Sequence, residues 1–226
     1  MNDQTSGAKL IVLSQVTFRK ALGILGMSLP FILLIGGWFF DQKIGTSISA
    51  YYHFGPLAEA YRPAMGDVFV GVLFLIGMAL IFYQGYEKKD EPISDSLVAT
   101  GAGICAIAVA LIPTDDKETM FEDIIGDIHM LFAAVFFVAL TYFCWFIFTR
   151  TDKPGNESEG KKKRNRIYKA CAVIMAVALV LIAVVLTLLS DSMETRLVEH
   201  YYAVFWLESI AIFFFGLAWW TKANTS

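Results

Sequence analysis

Six long apolar runs constrain this 226-residue chain more than any other feature of its sequence. Each is close to the roughly 20 residues that a helix needs to cross the hydrocarbon core of a bilayer. The runs are continuous, whereas strands of a membrane β-barrel alternate apolar and polar residues. The sequence therefore predicts an all-α polytopic membrane protein, with a single transmembrane domain over residues 1–226. Its bundle of six transmembrane helices would cover Ala21–Phe40, Val68–Tyr86, Leu97–Pro113, Ile128–Thr149, Ala170–Leu189 and Tyr201–Trp220.

The composition excludes a soluble domain, and the cysteines argue against a disulfide-rich protein. Apolar residues make up 57% of the chain and charged residues only 17%, whereas soluble domains are about 25% charged. The three cysteines fall within predicted helices, so we expect them to be packing residues rather than part of a disulfide framework.

The basic residues are divided unequally between the two sides of this predicted bundle. Of the 18 Lys and Arg residues, only Lys43, Arg62, Lys117 and Arg196 follow the first, third or fifth helix. The other 14 lie on the opposite side, which also holds both termini. Because Lys and Arg accumulate on the cytoplasmic side of membrane proteins, we expect both termini in the cytoplasm and a location in a bacterial-type inner (plasma) membrane.

The segment between the fourth and fifth predicted helices has a mixed character. Thr151–Gly160 is rich in Pro, Gly, Ser and charge, which is typical of a flexible connection. The basic run Lys161–Arg166 follows it, and there each charge would gain about 1 kcal/mol among anionic lipid headgroups. Membrane lipids are thus the expected partners, a homo-oligomer is a further option, and no nucleic acid is expected.

Polar residues that could serve as metal ligands, acids or bases lie on the predicted outer side. All three histidines, His53, His129 and His200, fall there, together with Asp67 at the start of the second helix. Glu208 lies inside the last apolar run, where a carboxylate costs roughly 2.5–3.5 kcal/mol on insertion scales. Two interpretations stay open for each acid: Glu208 either serves function or ties helices together by hydrogen bonds, and Asp67 either serves function or stabilises a helix N-terminus.

Three classes of function would use these residues. In an enzyme, His53, His129 and His200 would bind Zn²⁺, with Asp67 and Glu208 orienting or activating water to attack a lipid or a small amide or ester. In a proton or cation channel or transporter, Glu208 and the histidines would titrate along a path. In a ligand sensor without turnover, the loop Ser47–His53 would recognise the ligand. No HExxH, GxSxG or glycine-rich phosphate loop is present to select among them.

Several short motifs carry resemblances to known families. Ser47-Ile-Ser-Ala-Tyr-Tyr-His53, Gly66-Asp-Val-Phe-Val-Gly71, Leu111-Ile-Pro-Thr114 and Phe205-Trp-Leu-Glu208 resemble a family of uncharacterised bacterial multi-pass membrane proteins. A weaker resemblance is to the superfamily of alkaline ceramidases and adiponectin-receptor-like proteins, in which a Ser-x3-His element and an Asp surround zinc. It implies zinc-dependent hydrolysis of lipid amides, with Ser49, His53 and Asp67 in the corresponding positions. The chain departs from that superfamily in having six predicted helices rather than seven and no His-x3-His pair.

Overall fold

The computed structural model describes residues 4–41, 44–53, 64–83, 85, 94–114, 120–151 and 155–224. All regular structure within these ranges is helical, and no strand forms there, so the predicted all-α class is confirmed for this part of the chain. The helices are α1 (Gln4–Gly36), α2 (Ala64–Ile81), α3 (Asp95–Leu111), α4 (Met120–Tyr142), α5 (Glu159–Thr187), α6 (Asp191–Thr195) and α7 (Ala203–Ala223). Short π-helical turns follow α1, α4 and α6, at Gly37–Asp41, Phe143–Ile147 and Arg196–His200, and Ser49–His53 forms a 3-10 helix.

Each of the six predicted apolar runs corresponds to one long helix, but several helices extend beyond their apolar part. The prediction that Lys161–Arg166 belongs to a connection is wrong, because α5 begins at Glu159 rather than at Ala170. Ser158 caps the helix by accepting a hydrogen bond from the Lys161 N–H at 3.3 Å. Lys and Arg are good helix formers, so their charge marks a boundary of the membrane without marking a boundary of the helix.

The acidic segments are also more helical than predicted. α4 begins at Met120 instead of Ile128, which places most of the predicted loop before the fourth apolar run in a helix. The interval between the fifth and sixth predicted helices contains α6 and the π-helical turn Arg196–His200. Hydropathy locates the apolar part of a helix, whereas polar turns at its ends leave no such signal.

Within the described ranges, four helices are long and apolar enough to cross a membrane, namely Val16–Phe40, Ile124–Ile147, Glu159–Thr187 and Ala203–Ala223. Two shorter apolar helices, Met65–Ile81 and Asp95–Leu111, pack with them. Large apolar side chains such as Phe31, Leu131 and Val180 point outward and are exposed on the protein surface. Apolar helices with apolar outer faces define a membrane-embedded protein.

Two antiparallel helix pairs approach closely at glycines. A Cβ atom on Gly216 of α7 would lie 2.6 Å from the backbone nitrogen of Met27 and 2.7 Å from the carbonyl oxygen of Gly23, both in α1. A Cβ atom on Gly103 of α3 would lie 2.5 Å from the carbonyl oxygen of Gly77 in α2. Backbone atoms cannot swing aside as the end of a side chain can, so these spacings require glycine.

The alternating directions of the helices give the bundle two distinct ends. The Glu208 end comprises Glu208, the segment Ile44–His53 and the starts of α2, α4 and α7. The Lys222 end comprises Lys222, the end of α7 and the starts of α3 and α5. Between them lies a continuous core of buried aromatic and aliphatic side chains.

Candidate functional site

Glu208 is a buried acid of the membrane-embedded bundle. It lies in the second turn of α7, and only 9% of the residue is exposed. One carboxylate oxygen, Oε2, accepts a hydrogen bond from the backbone N–H of Ile48 at 2.6 Å, and the carboxylate also accepts one from the Ser49 N–H. Two main-chain donors from a segment about 160 residues earlier therefore hold the carboxylate in place.

The segment Ile44–His53 is shaped to present these donors. The Ser47 hydroxyl accepts a hydrogen bond from the Ala50 N–H at 2.8 Å, which caps the 3-10 helix Ser49–His53. The N–H groups at a helix start point away from the helix and attract an anion. Glu208 supplies that anion, so its carboxylate completes the N-terminus of this short helix.

Further contacts fix the same segment to the surrounding helices. The Thr46 carbonyl oxygen accepts a hydrogen bond from the Phe205 N–H at 3.0 Å, in the first turn of α7. Tyr51 is fully buried and its ring packs against Phe205 with 6.3 Å between centroids. The Tyr52 hydroxyl contacts the Leu111 carbonyl oxygen at 3.5 Å. The segment Ile44–His53 thus packs over the Glu208 end of the bundle, and we call it the cover segment.

The start of α7 is held in an uncommon backbone conformation. Tyr202, the residue before α7, has φ 53° and ψ 36°, in the left-handed region that non-glycine residues rarely occupy. This conformation turns the chain from the π-helical turn Arg196–His200 into α7. The surrounding contacts, including the Thr46–Phe205 hydrogen bond, must compensate for its cost of about 1–3 kcal/mol.

A small cavity lies beside the Glu208 carboxylate. Its volume is about 20 Å³, which suffices for one water molecule or a small cation. Apart from Ser49 and Glu208 its lining is apolar and comes from α1, α2, α3, α4, α7 and the cover segment: Leu29, Ile48, Phe69, Leu73, Val109, Ala133, Phe136, Phe137 and Ile212. The site is therefore a buried carboxylate and a hydroxyl-bearing residue facing a water-sized space.

His129 is fully buried one helical turn from this cavity. It lies on α4 four residues before Ala133, which lines the cavity. Its Nδ1 is 2.7 Å from the carbonyl oxygen of Ile112, and since a carbonyl can only accept, Nδ1 carries the proton. This hydrogen bond ties α4 to the end of α3.

The structure places His200 and Asp67 apart from the cavity. His200 is exposed in the π-helical turn before α7, where its ring packs edge-on against Tyr201 with 4.9 Å between centroids. Asp67 is exposed in the first turn of α2, a position that suits an acid near a helix N-terminus. The side chain of His53 lies outside the described part of the chain, although its backbone belongs to the 3-10 helix.

Of the six predicted site residues, the structure thus brings Ser49 and Glu208 together and leaves His129 one turn away. Among the described residues, no group of three or more His, Cys, Asp or Glu side chains could hold a metal ion. The zinc site stays a prediction. The donors missed by sequence reasoning are the backbone N–H groups of Ile48 and Ser49, which have no signature in side-chain identity.

The fold and this site define a helical membrane protein with a buried carboxylate at one end of its bundle. The chain belongs to the family described as "Protein of unknown function (DUF998)", whose family model matches residues 34–221. Comparison with curated proteins and with solved structures finds no match. The family agrees with the resemblance to an uncharacterised membrane family, and nothing found supports the resemblance to ceramidases.

Proposed function

We propose that the protein handles protons, or a small cation in their place, with the Glu208 carboxyl group as the binding site. One observation carries the proposal: this buried acid of a membrane-spanning helix faces a cavity that holds a water molecule or a small ion. Ionisable groups within membrane helices characteristically mark proton relays and ion pathways.

The depth of Glu208 supports the same proposal. The residue lies about 8 Å along α7 from Ala203, at 1.5 Å per residue, on the face turned toward the other helices. A carboxylate that served only to anchor the cover segment could be replaced by a neutral acceptor at lower cost to the membrane-embedded state. An acid at this position has a further property, because it exchanges a proton with a water molecule in the adjacent cavity.

The proposal includes a topology of six spans with both termini in the cytoplasm. α2 and α3 are 18 and 17 residues long, or about 26 Å, slightly less than the bilayer core of about 30 Å. Apolar residues beyond their ends, such as Phe82 and Ile112, extend each span. The uneven distribution of Lys and Arg then assigns the Lys222 end to the cytoplasm, and Glu208 lies near the outer surface.

The hydrolase hypothesis has less support from the site. A cavity of about 20 Å³ would have to open widely to admit a lipid amide, because drug-sized ligands occupy pockets of about 300–1,000 Å³. Ser49 lines the cavity, but His200 and Asp67 are exposed elsewhere. The small space favours a proton, a water molecule or a cation over an organic substrate.

Proton flux into liposomes tests the function. We expect the purified protein to dissipate an imposed pH gradient faster than protein-free liposomes do, and Glu208→Gln to abolish this difference. The Gln side chain keeps an oxygen that can accept the Ile48 N–H, so the cover segment should stay in place. Glu199→Gln removes the same charge from an exposed position near the start of α7, and we expect it to leave the flux unchanged.

Infrared spectroscopy reports directly on the proposed protonation. At acidic pH the wild-type protein should show the carbonyl band of a protonated carboxyl group, and this band should disappear at alkaline pH. Glu208→Gln should lack the band at both pH values. Wild-type flux in Glu208→Gln, with the protein still folded by circular dichroism, would contradict the proposal. So would a wild-type flux no faster than that of empty liposomes.

A further inference from the structure

The cavity beside Glu208 presents few oxygen atoms to an occupant. Among the described residues of its lining, only Glu208 and Ser49 have side-chain oxygens, and the other side chains are hydrocarbon. Most of the lining comes from helices, where main-chain carbonyl oxygens accept hydrogen bonds from residues four positions later. The Ile48 carbonyl oxygen is engaged as well, because it accepts a hydrogen bond from the Tyr51 N–H at 3.4 Å.

Metal cations need more oxygen ligands than this. Ca²⁺ takes about 6–8 oxygens and Mg²⁺ an octahedral set, and K⁺ exchanges its hydration shell for rings of carbonyl oxygens in channels. One carboxylate and one hydroxyl replace only part of such a shell. The volume of about 20 Å³ holds about one water molecule, so a cation has no room for the remaining water ligands.

The Glu208 carboxylate is already engaged by two donors. Its Oε2 accepts the Ile48 N–H at 2.6 Å, and the Ser49 N–H also donates to the carboxylate. Each N–H group carries partial positive charge, which opposes a metal cation on the same oxygens. A proton forms an O–H bond on one oxygen and leaves acceptor capacity on the carboxyl group, so protonation is compatible with the contacts that disfavour a metal.

Apolar surroundings act in the same direction. A buried charge is costly unless it is paired, and protonation makes the carboxyl group neutral, whereas a divalent cation on one carboxylate would leave a net positive charge. Within the described ranges, no second ionisable side chain lines the cavity. His129 lies one helical turn along α4 from the lining residue Ala133, with its Nδ1 held by the Ile112 carbonyl oxygen.

We propose that Glu208 takes up the proton itself, and that the site excludes Na⁺, K⁺ and divalent cations. This inference rests on the proposed function and narrows its substrate class. Hydronium in the cavity would give up one O–H bond as an O–H bond forms on the carboxylate, which leaves a neutral water molecule and a neutral acid. A buried water molecule needs at least about two polar partners, and Ser49 is the second one.

A titration of the purified full chain in neutral detergent tests the occupant without measuring flux. The infrared carbonyl band that Glu208→Gln lacks is followed against pH in choline chloride, and then with NaCl, KCl or CaCl₂ at the same ionic strength. We expect the same midpoint in all four salts. A cation that binds the carboxylate would lower the midpoint by about one pH unit for each tenfold rise in its concentration above its Kd, and such a shift would overturn the inference.

Flux measurements separate failure of this inference from failure of the proposed function. Proton flux into liposomes should stay the same when choline replaces Na⁺ on both sides, and uptake of radiolabelled Na⁺ should not exceed that of empty liposomes. Na⁺ uptake that Glu208→Gln abolishes would overturn the inference and leave the proposed function standing. Absence of any flux that depends on Glu208 would contradict the proposed function, and the inference with it.

Two buried serines provide a matched pair for the water-holding role. Ser49 and Ser209 are each 8% exposed, but only Ser49 lines the cavity. Ser49→Ala keeps the main-chain N–H and should slow the proton flux about threefold to tenfold, the usual weight of one hydrogen bond. Ser209→Ala should leave the flux unchanged. Equal rates in the two variants, with both folded by circular dichroism, would contradict the role of Ser49.

Discussion

Asp95→Asn is expected to lower the free energy of unfolding by about 3 kcal/mol, at the lower end of the cost of breaking a buried ion pair. Asp95 accepts a hydrogen bond from Arg150 Nη1, and the side chains of the two residues are 4% and 26% exposed. The partial exposure of Arg150 gives some solvent screening, which keeps the effect away from the upper limit. Without the carboxylate, Arg150 loses this ion pair and Lys222 loses the electrostatic attraction of Asp95.

The exposed ion pair between Lys162 and Glu159 provides the control. It is formed at 2.9 Å, but its side chains are 48% and 89% exposed, and such pairs contribute about 0–1 kcal/mol. Glu159→Gln should therefore change stability little. Denaturant unfolding in detergent micelles measures both variants, and an equal effect of the two substitutions would contradict the central role of Asp95.

The helices of this chain were predictable from the sequence because apolar side chains record where lipid meets protein. Each of the six predicted runs overlaps a helix, but α2 ends at Ile81 within its predicted run, and the first turns of α4 and α5 were missed. Residues such as Lys161, Lys163 and Arg166 favour helix and still raise polarity, so hydropathy assigns them to a connection. Neither helix propensity nor hydropathy distinguishes a charged helix end from a charged loop.

The site was predictable only in part, for a similar physical reason. Glu208 stands out because a carboxylate in an apolar run has a high cost, and Ser49 was reached through a short motif. The main-chain donors of Ile48 and Ser49 leave no trace in the identity of side chains. Ile48 and Glu208 are far apart along the chain, so their contact depends on tertiary packing that no local sequence pattern predicts.

Two basic residues that interact electrostatically, Arg19 and Lys222, show the same limit from the opposite direction. Arg19 and Lys222 each read as a flanking charge that fixes the orientation of its own helix. Their convergence follows from the antiparallel contact of α1 with α7, which the glycines at positions 23, 26 and 216 permit. Charges that would each orient their own helix are therefore also brought together once the helices pack.

The close contact between α2 and α3 leads to a second large effect on stability, with a control two residues away. Gly103→Ala places a methyl group against the Gly77 carbonyl oxygen, so we expect a loss of about 1–3 kcal/mol, the usual cost of overpacking. Gly101→Ala, on the same helix, meets nothing within 4 Å and should keep or raise stability, since Ala favours helix by up to about 1 kcal/mol over Gly. Unfolding of both variants in one detergent measures the difference. Equal stabilities would show that α2 can shift away from α3 without cost, and that the glycine contact does not set the spacing of this helix pair.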